Sequence, residues 1–315
     1  MRIINPLLRH RLTSQPQLIN SVTVRVNMEA TFGPNLERRE EISDGLRRTE
    51  GCGYHVMGVL NITPDSFHEA SRLATTEQAI QTGLAMWKNG AKWLDIGGES
   101  TRPGAEPVLP EEEIERVVPV IRGLREANPS GLISIDTRRA DVARAAIEAG
   151  ADMINDVSGL RDPRMVELVL QAKCGVCIMH MQGEPGTMQQ QPSYSNCSQE
   201  VSEQLLETAR ALKSAGHPEE LIALDPGIGF GKTLDHNIEL LQNHNQLRGV
   251  EGFALLWGVS RKSMIGELTG RSRTSDRLAG TLAVAALAHY EGIDLLRVHD
   301  VREHVDVLNV LDALA

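Results

Sequence analysis

At 315 residues the chain has the length of one large domain or two small ones, enough either way to bury a substantial core. A formal charge of -10 and a sequence pI near 5.5 argue against a general nucleic-acid surface and leave room only for a local basic pocket. No run of about eighteen apolar residues exists, so a membrane-spanning helix is excluded on length, and four cysteines in so long a chain make no disulfide framework, which fits a reducing cytoplasm.

The chain divides near residue 54. Residues 1–28 carry four arginines and no acid, a composition faintly like a transit peptide but without the apolar core of a secretory signal. Residues 22–26 alternate like a strand and read as a cover for the bottom of a barrel or as a simple extension. Residues 33–53 are polar, charged and glycine-bearing, and read as a linker or weakly ordered loop. Residues 1–54 are therefore taken as an amino-terminal extension to a body spanning 55–315.

In that body, short apolar runs fall at 56–60, 93–96, 132–135, 153–154, 176–179, 221–224, 254–257 and 295–298. Segments with helical period and helix punctuation lie between them. Residues 76–89 follow a threonine cap and stop at Gly90; residues 110–127 open on Pro110 with Glu111, Glu112 and Glu113 in the first turn, where carboxylates complement the helix dipole. Residues 142–149, 200–215 and 278–291 end at Gly150, Gly216 and Gly292. This alternation, with crossover helices that force parallel strands, predicts an α/β fold, a (β/α)8 TIM barrel. An open doubly wound sheet competes, because periodicity does not reveal closure. Closure is favoured by the polar residues at or just past the strand ends: Asn61, Asp95, Asp136, Asn155, His180, Asp225, Ser260 with Lys262, and Arg297 with His299. A barrel brings all of these to one rim, where its active sites lie.

Several stretches carry chemistry of their own. The run at 93–96 holds Asp95 and passes at once into a glycine-rich loop with Glu99, Ser100, Thr101 and Arg102, which suits an anionic or hydrogen-bonding ligand. Asn61 either caps its strand or serves a ligand, and Asp65 starts the following turn. The segment from Asp225 through Gly231, Lys232 and Thr233 fails as a phosphate loop because the required first glycine falls on Pro226; its glycines instead allow a tight turn around Phe230, whose ring can pack on a planar ligand. Gly258, Ser260, Arg261, Lys262 and Ser263 set two cations and two hydroxyls on one strand end, a combination suited to phosphate. Arg297 and His299 alternate and so share one side of their strand. His180 reads equally as a ligand or as a hydrogen-bonded core histidine, and Cys174 with Cys177, a lone Cys-x-x-Cys, reads as core. The acids and Asn155 suit a flat heterocycle rich in N–H groups, and the cations with Asn61 suit a diphosphate and Mg2+, a cation that prefers oxygen.

The stretches 57–67, 94–105, 133–137, 154–157, 178–189, 224–237, 258–266 and 297–301 together resemble the dihydropteroate synthase family, in the family's order and over nearly all of residues 55–315. The resemblance implies condensation of 6-hydroxymethyl-7,8-dihydropterin diphosphate with 4-aminobenzoate to 7,8-dihydropteroate and diphosphate, for folate synthesis, in a cytoplasmic homodimer that is a sulfonamide target. It implies a pterin pocket on Asp95, Asp136, Asn155, Asp225 and Lys262 with Val157, Met179 and Phe230 as walls. Diphosphate and Mg2+ fall to Asn61, Arg297 and His299, and Phe67, Thr101, Arg102, Pro103 and Ser263 fall near the aminobenzoate, on loops at 63–72 and 97–107 for all but Ser263. Gly258, Ser260 and Val298 complete the substrate set, and catalytic roles go to Asp65, Asp95, Lys262, Arg297 and His299. Diphosphate is expected to depart ahead of attack, leaving a delocalised cation on the dihydropterin, with no protein nucleophile. After Phe67 this chain has His68, Glu69, Ala70 and Ser71 where the family has an Asp-Gly-Gly-like turn; that departure bears on aminobenzoate and sulfonamide selectivity and slightly favours the alternative of a catalytically silent pterin-binding homologue, which the intact diphosphate and Mg2+ set disfavours. A pterin-dependent methyltransferase barrel is a further alternative that leaves the Lys262, Arg297 and His299 cluster unexplained.

Overall fold

The computed structural model describes residues 32–49, 52–62, 72–100, 108–184 and 186–314. Among them, parallel strands β1 (His55–Asn61), β2 (Trp93–Gly97), β3 (Leu132–Asp136), β4 (Met153–Asp156), β5 (Gly175–Met179), β6 (Ile222–Asp225), β7 (Ala254–Trp257) and β8 (Leu295–Val298) close into a barrel in chain order. Closure is visible at β1, where Met57 lies opposite Trp93 on one side and Arg297 on the other. The open sheet is thereby excluded.

Each strand obeys a period of two, as a pleated backbone requires. Met57, Trp93, Leu132, Met153, Cys177, Ala223, Leu256 and Leu295 fill one buried cluster inside the barrel. Their neighbours Val56, Leu94, Ile133, Ile154, Val176, Leu224, Leu255 and Leu296 pack outward with the helices. Two residues beyond the inner apolar layer stand Asp95, Ser134, Asn155, Asp225, Gly258 and Arg297. The interior is thus hydrocarbon below and polar above.

The surrounding helices are α2 (Arg72–Lys88), α3 (Pro110–Ala127), α4 (Ala140–Glu148), α5 (Pro163–Ala172), α6 (Cys197–Ser214), α7 (Leu234–Gln242), α8 (Ser263–Thr269), α9 (Leu278–Tyr290) and α10 (Val301–Leu314). The helix expected at 110–127 has those bounds, and the ends of the other expected helices fall within four residues of the observed ones. Leu221 belongs to a short 3-10 turn before β6 rather than to the strand. Cys174 and Cys177 are both fully buried thiols, in keeping with a core role. No helix among the described residues is long and apolar enough to cross a membrane.

One expectation is corrected. In the stretch expected to be a linker or weakly ordered loop, the described residues 33–49 contain helix α1 (Leu36–Leu46), started by the Asn35 side chain accepting from the Arg38 N–H at 2.8 Å. Its Ile42 and Leu46 join the inner apolar cluster and close the floor of the barrel. Gly45 lets the helix approach, because a Cβ there would sit 2.4 Å from Leu132 Cδ1, and its carbonyl accepts from Trp93 Nε1 at 2.8 Å. The expected strand at 22–26 lies outside the described residues.

Candidate active site

The polar upper layer of the barrel converges on Arg297. Its Nε donates to Asp95 Oδ2 at 2.5 Å and its Nη2 to Asp136 Oδ2 at 2.6 Å, joining β8 to β2 and β3 across the cavity. Asn155 Nδ2 also donates to Asp95 Oδ2, at 3.2 Å. One guanidinium therefore serves two carboxylates, and the cluster keeps a net negative charge when both are ionised. Burial, only partly offset by Arg297 and reinforced by Asp95, pushes Asp136 up to about 7. Burial works against the Arg297 charge, but the two acids outweigh it and hold its proton more firmly than usual.

Two acceptors in this layer, Asp95 Oδ1 and Asn155 Oδ1, are buried with no hydrogen-bond partner among the described residues. Desolvating such atoms is costly unless something donates to them, so their placement suits the N–H edge of a bound heterocycle.

Asp225 ends β6 and is also pushed up by burial, against the opposing pull of Lys262 and of the Gly227 N–H, which reaches its Oδ1 at 2.7 Å. The following turn takes left-handed backbone at Gly227, Gly229 and Gly231 (φ 67°, 82° and 62°). It sets the Phe230 ring 4.4 Å below Lys262 Nζ, and that ammonium also donates to the Ile228 carbonyl. Burial lowers Lys262 to about 8, with Asp225 opposing. Val157, Met179, Met181 and Met188 pack together with Phe230 to make an apolar wall.

Lys262 is aimed by its neighbour. Arg261 adopts a left-handed backbone (φ 57°), unusual for a side-chain-bearing residue, and is held there by a two-pronged ion pair to Asp300 at 2.7 and 2.5 Å. Gly258 leaves space: a Cβ there would lie 3.7 Å from Asp225 Oδ2 and 3.9 Å from Lys262 Nζ. On the rim, exposed His299 meets Ser260 Oγ with both its backbone N–H (3.2 Å) and its Nδ1 (3.1 Å).

Residues 57–299 match the pterin binding enzyme family. The dihydropteroate synthase of Escherichia coli is 42% identical over 259 residues, 82% of this chain and 91% of that protein. The chain belongs to the dihydropteroate synthase family. The Xanthomonas albilineans dihydropteroate synthase solved with 4-aminobenzoic acid superposes with a TM-score of 0.76 at 44% identity, covering 83% of this chain and 93% of that one. The Burkholderia cenocepacia dihydropteroate synthase complexed with 7,8-dihydropteroate gives 0.75 at 42% identity, covering 83% and 91%.

Of the residues anticipated for a dihydropteroate synthase site, Asp95, Asp136, Asn155, Asp225, Gly258, Lys262 and Arg297 meet in one cavity, walled by Val157, Met179 and Phe230. Asn61 is exposed at the tip of β1, Ser260 and His299 stand on the rim, and Ser263 is exposed at the start of α8. Val298 is a correction: it takes the outward position on β8 and its side chain is buried in the helix layer, so it does not face the cavity. Asp65, Phe67, Thr101, Arg102 and Pro103, with the altered turn at His68, lie outside the described residues. Glu99 accepts from the Val108 N–H at 3.1 Å and from Arg139 at 2.8 and 2.9 Å.

Two features leave no local signal in the sequence. Arg297, expected among the diphosphate-binding cations, spans both acids of the pterin half. Lys232, in a stretch that fails as a phosphate loop, is buried beneath the Phe230 turn, and its Nζ bonds the Phe230 carbonyl and His180. His180 is accordingly a core histidine.

Proposed function

We propose that this chain joins 6-hydroxymethyl-7,8-dihydropterin diphosphate to 4-aminobenzoate, releasing diphosphate and 7,8-dihydropteroate for folate synthesis. The observation that carries the reading is the set of buried, unpartnered acceptors Asp95 Oδ1 and Asn155 Oδ1 at the centre of a cavity that also presents Asp136, Asp225, Lys262 and Arg297. A flat ring bearing amino and ring N–H groups satisfies the acceptors, and Lys262 donates to a ring heteroatom. A silent pterin-binding homologue has no use for the added rim of Asn61, Ser260 and His299.

The chemistry follows from the charge distribution. The C–O bond to diphosphate breaks with its electron pair leaving on diphosphate, and Arg297 with His299 stabilises that charge. The positive charge left on the dihydropterin is favoured by the net negative pair Asp95 and Asp136. The lone pair of the aminobenzoate amine then forms the C–N bond, and the resulting ammonium gives up a proton to solvent or to diphosphate. No side chain acts as a nucleophile.

Asn61 Oδ1 suits Mg2+, because it is exposed at a strand tip over Gly97, where a Cβ would lie 3.5 Å from that oxygen and none is present. Magnesium is usually held by few protein oxygens together with phosphate and water. When bound there, it would neutralise charge on the diphosphate.

The homodimer is proposed on α9, which is apolar on nearly every side and leaves Ala279, Ala283, Leu287 and Tyr290 exposed in a stripe. Sedimentation of the chain at micromolar concentration tests it, and a monomer would refute it. The catalytic reading is tested by incubation with the dihydropterin diphosphate, 4-aminobenzoate and Mg2+ and detection of dihydropteroate by mass. Absence of that product refutes condensation. A sulfonamide, as an aminobenzoate analogue, is expected to compete with 4-aminobenzoate and not with the pterin.

A further inference from the structure

The turn that carries Phe230 is held from two sides by two lysines. Lys262 reaches it from the cavity, through the Ile228 carbonyl and the Phe230 ring. Lys232 reaches it from beneath and, among the described residues, touches no carboxylate. Only 4% exposed, its Nζ lies 3.0 Å from the Phe230 carbonyl, 3.0 Å from His180 Nδ1 and 3.3 Å from the His180 carbonyl. His180 follows β5 and Phe230 follows β6, so the amine ties together two neighbouring strand ends. Gly227 belongs to the same close contact: a Cβ there would sit 1.8 Å from the His180 carbonyl and 3.4 Å from Lys232 Nζ.

The count of donors and acceptors matters. An ammonium has three N–H groups, and three acceptors face this one. A neutral amine has two, and its own lone pair would then oppose a third. The imidazole acts as an acceptor because burial, aided by Lys232, lowers His180 to about 3 and keeps it neutral. Its Nδ1 therefore faces the lysine with a lone pair, and its proton stands on Nε2.

We propose, resting on the pterin-condensing function above, that Lys232 is a positioning residue for the pterin: as an ammonium it locks the turn at 227–231 to the end of β5, so that Phe230 keeps its place in the cavity wall and the Ile228 carbonyl its place before Lys262. Lys232 touches neither substrate. Its effect reaches the ring through the wall that the ring packs on, and the aminobenzoate end of the site is left alone.

The charge that makes this lock is lost within reach of neutral pH. Burial lowers Lys232 to about 7, against the pull of Cys197 at the start of α6 and of Asp225 from β6 and with the repulsion of Lys262 from the loop after β7; neutral His180 also faces it. Pterin affinity is therefore expected to fall as pH rises through that range.

Steady-state kinetics of the unaltered chain, Lys232→Met and Lys232→Arg between pH 6 and 9, with thermal melting of each, test the proposal. Lys232→Met is expected to raise the KM for the dihydropterin diphosphate by about tenfold or more, since small displacements of a positioned group carry penalties of that order, while the aminobenzoate KM stays within about twofold. Lys232→Arg keeps its charge throughout and is expected to recover part of the affinity with a flatter pH profile. A folded Lys232→Met with unchanged pterin KM overturns the proposal, as does an equal rise in both KM values that arginine does not relieve. Should Lys232→Met fail to fold, Lys232→Arg decides alone: a profile identical to that of the unaltered chain overturns it. Absence of dihydropteroate from the unaltered chain would instead refute the function on which the proposal rests.

Discussion

The floor and the rim of the barrel treat buried charge in opposite ways. At the floor, Asp152 stands just before β4 and receives Arg38 twice at 2.7 Å, Arg125 at 2.7 Å and the Ile133 N–H at 2.8 Å. Asp294, just before β8, is held in the same manner by Arg248 at 2.7 Å and by the N–H groups of Leu255 at 2.9 Å and Arg48 at 3.2 Å. At the rim, Asp95 and Asp136 share one arginine, and Asp95 Oδ1 and Asn155 Oδ1 have no partner. Acids at the floor are saturated and join α1 and the loops to the strands; acids at the rim are left short of donors. The difference separates stability from function within one fold, because a barrel places its chemistry at the C-terminal strand ends and is free to cement the other end.

The largest effect is expected where saturation is removed. Asp152→Ala strands Arg38, Arg125 and a buried backbone N–H together, and denaturant unfolding should report a loss of about 3–5 kcal/mol, with the KM values of the surviving enzyme unchanged. A comparable rise in KM would break the division between floor and rim. Next comes Arg297→Ala, which should lower turnover by about a hundredfold or more, equivalent to about 2.7 kcal/mol of barrier. Near-normal turnover at saturating substrate would remove Arg297 from the chemistry. Third is Gly45→Ala, whose Cβ meets Leu132 Cδ1 at 2.4 Å and Trp93 Nε1 at 3.0 Å; overpacking there should cost about 1–3 kcal/mol of stability and leave turnover untouched.

The same division explains what could be read in the sequence. Strand positions were legible because inward and outward residues are both apolar in the lower barrel, giving runs such as 176–179 and 254–257. The site was legible because an acid such as Asp95 at the end of an apolar run has no use in a plain core. Helix α1 was not: only Ile42, Gly45 and Leu46 of its residues are buried, and its docking depends on Arg38 reaching Asp152, 114 residues away. Nor was the sharing of Arg297, whose partners lie 161 and 202 residues back in the chain. Local pattern records which residues are odd in their place. It does not record which of them meet, and a tie such as Lys232 to His180, which involves no opposite charge, leaves no mark at all.

Smallest per unit of pH, at about 1.4 kcal/mol, is an effect that uses a histidine from each end. Burial first, then repulsion from Lys173 and Arg39, lowers His217 at the floor to about 4, and burial with Lys232 lowers His180 at the rim to about 3. In the unfolded chain both bind a proton near pH 6.5. Between that value and their folded values the unfolded state takes up protons that the native state refuses, so stability present above pH 6.5 is lost as pH falls, by about 1.4 kcal/mol per pH unit for each histidine. His217→Gln should remove one such increment from the slope between pH 6.5 and 4, read from denaturant midpoints at successive pH values, without altering either KM. His180→Gln should flatten the slope further toward pH 3, but because Lys232 loses an acceptor it should also raise the pterin KM. Two substitutions with matched effects on the acid slope and opposite outcomes in the kinetics would locate the boundary between the two ends; a His217→Gln variant with weakened pterin binding would erase it.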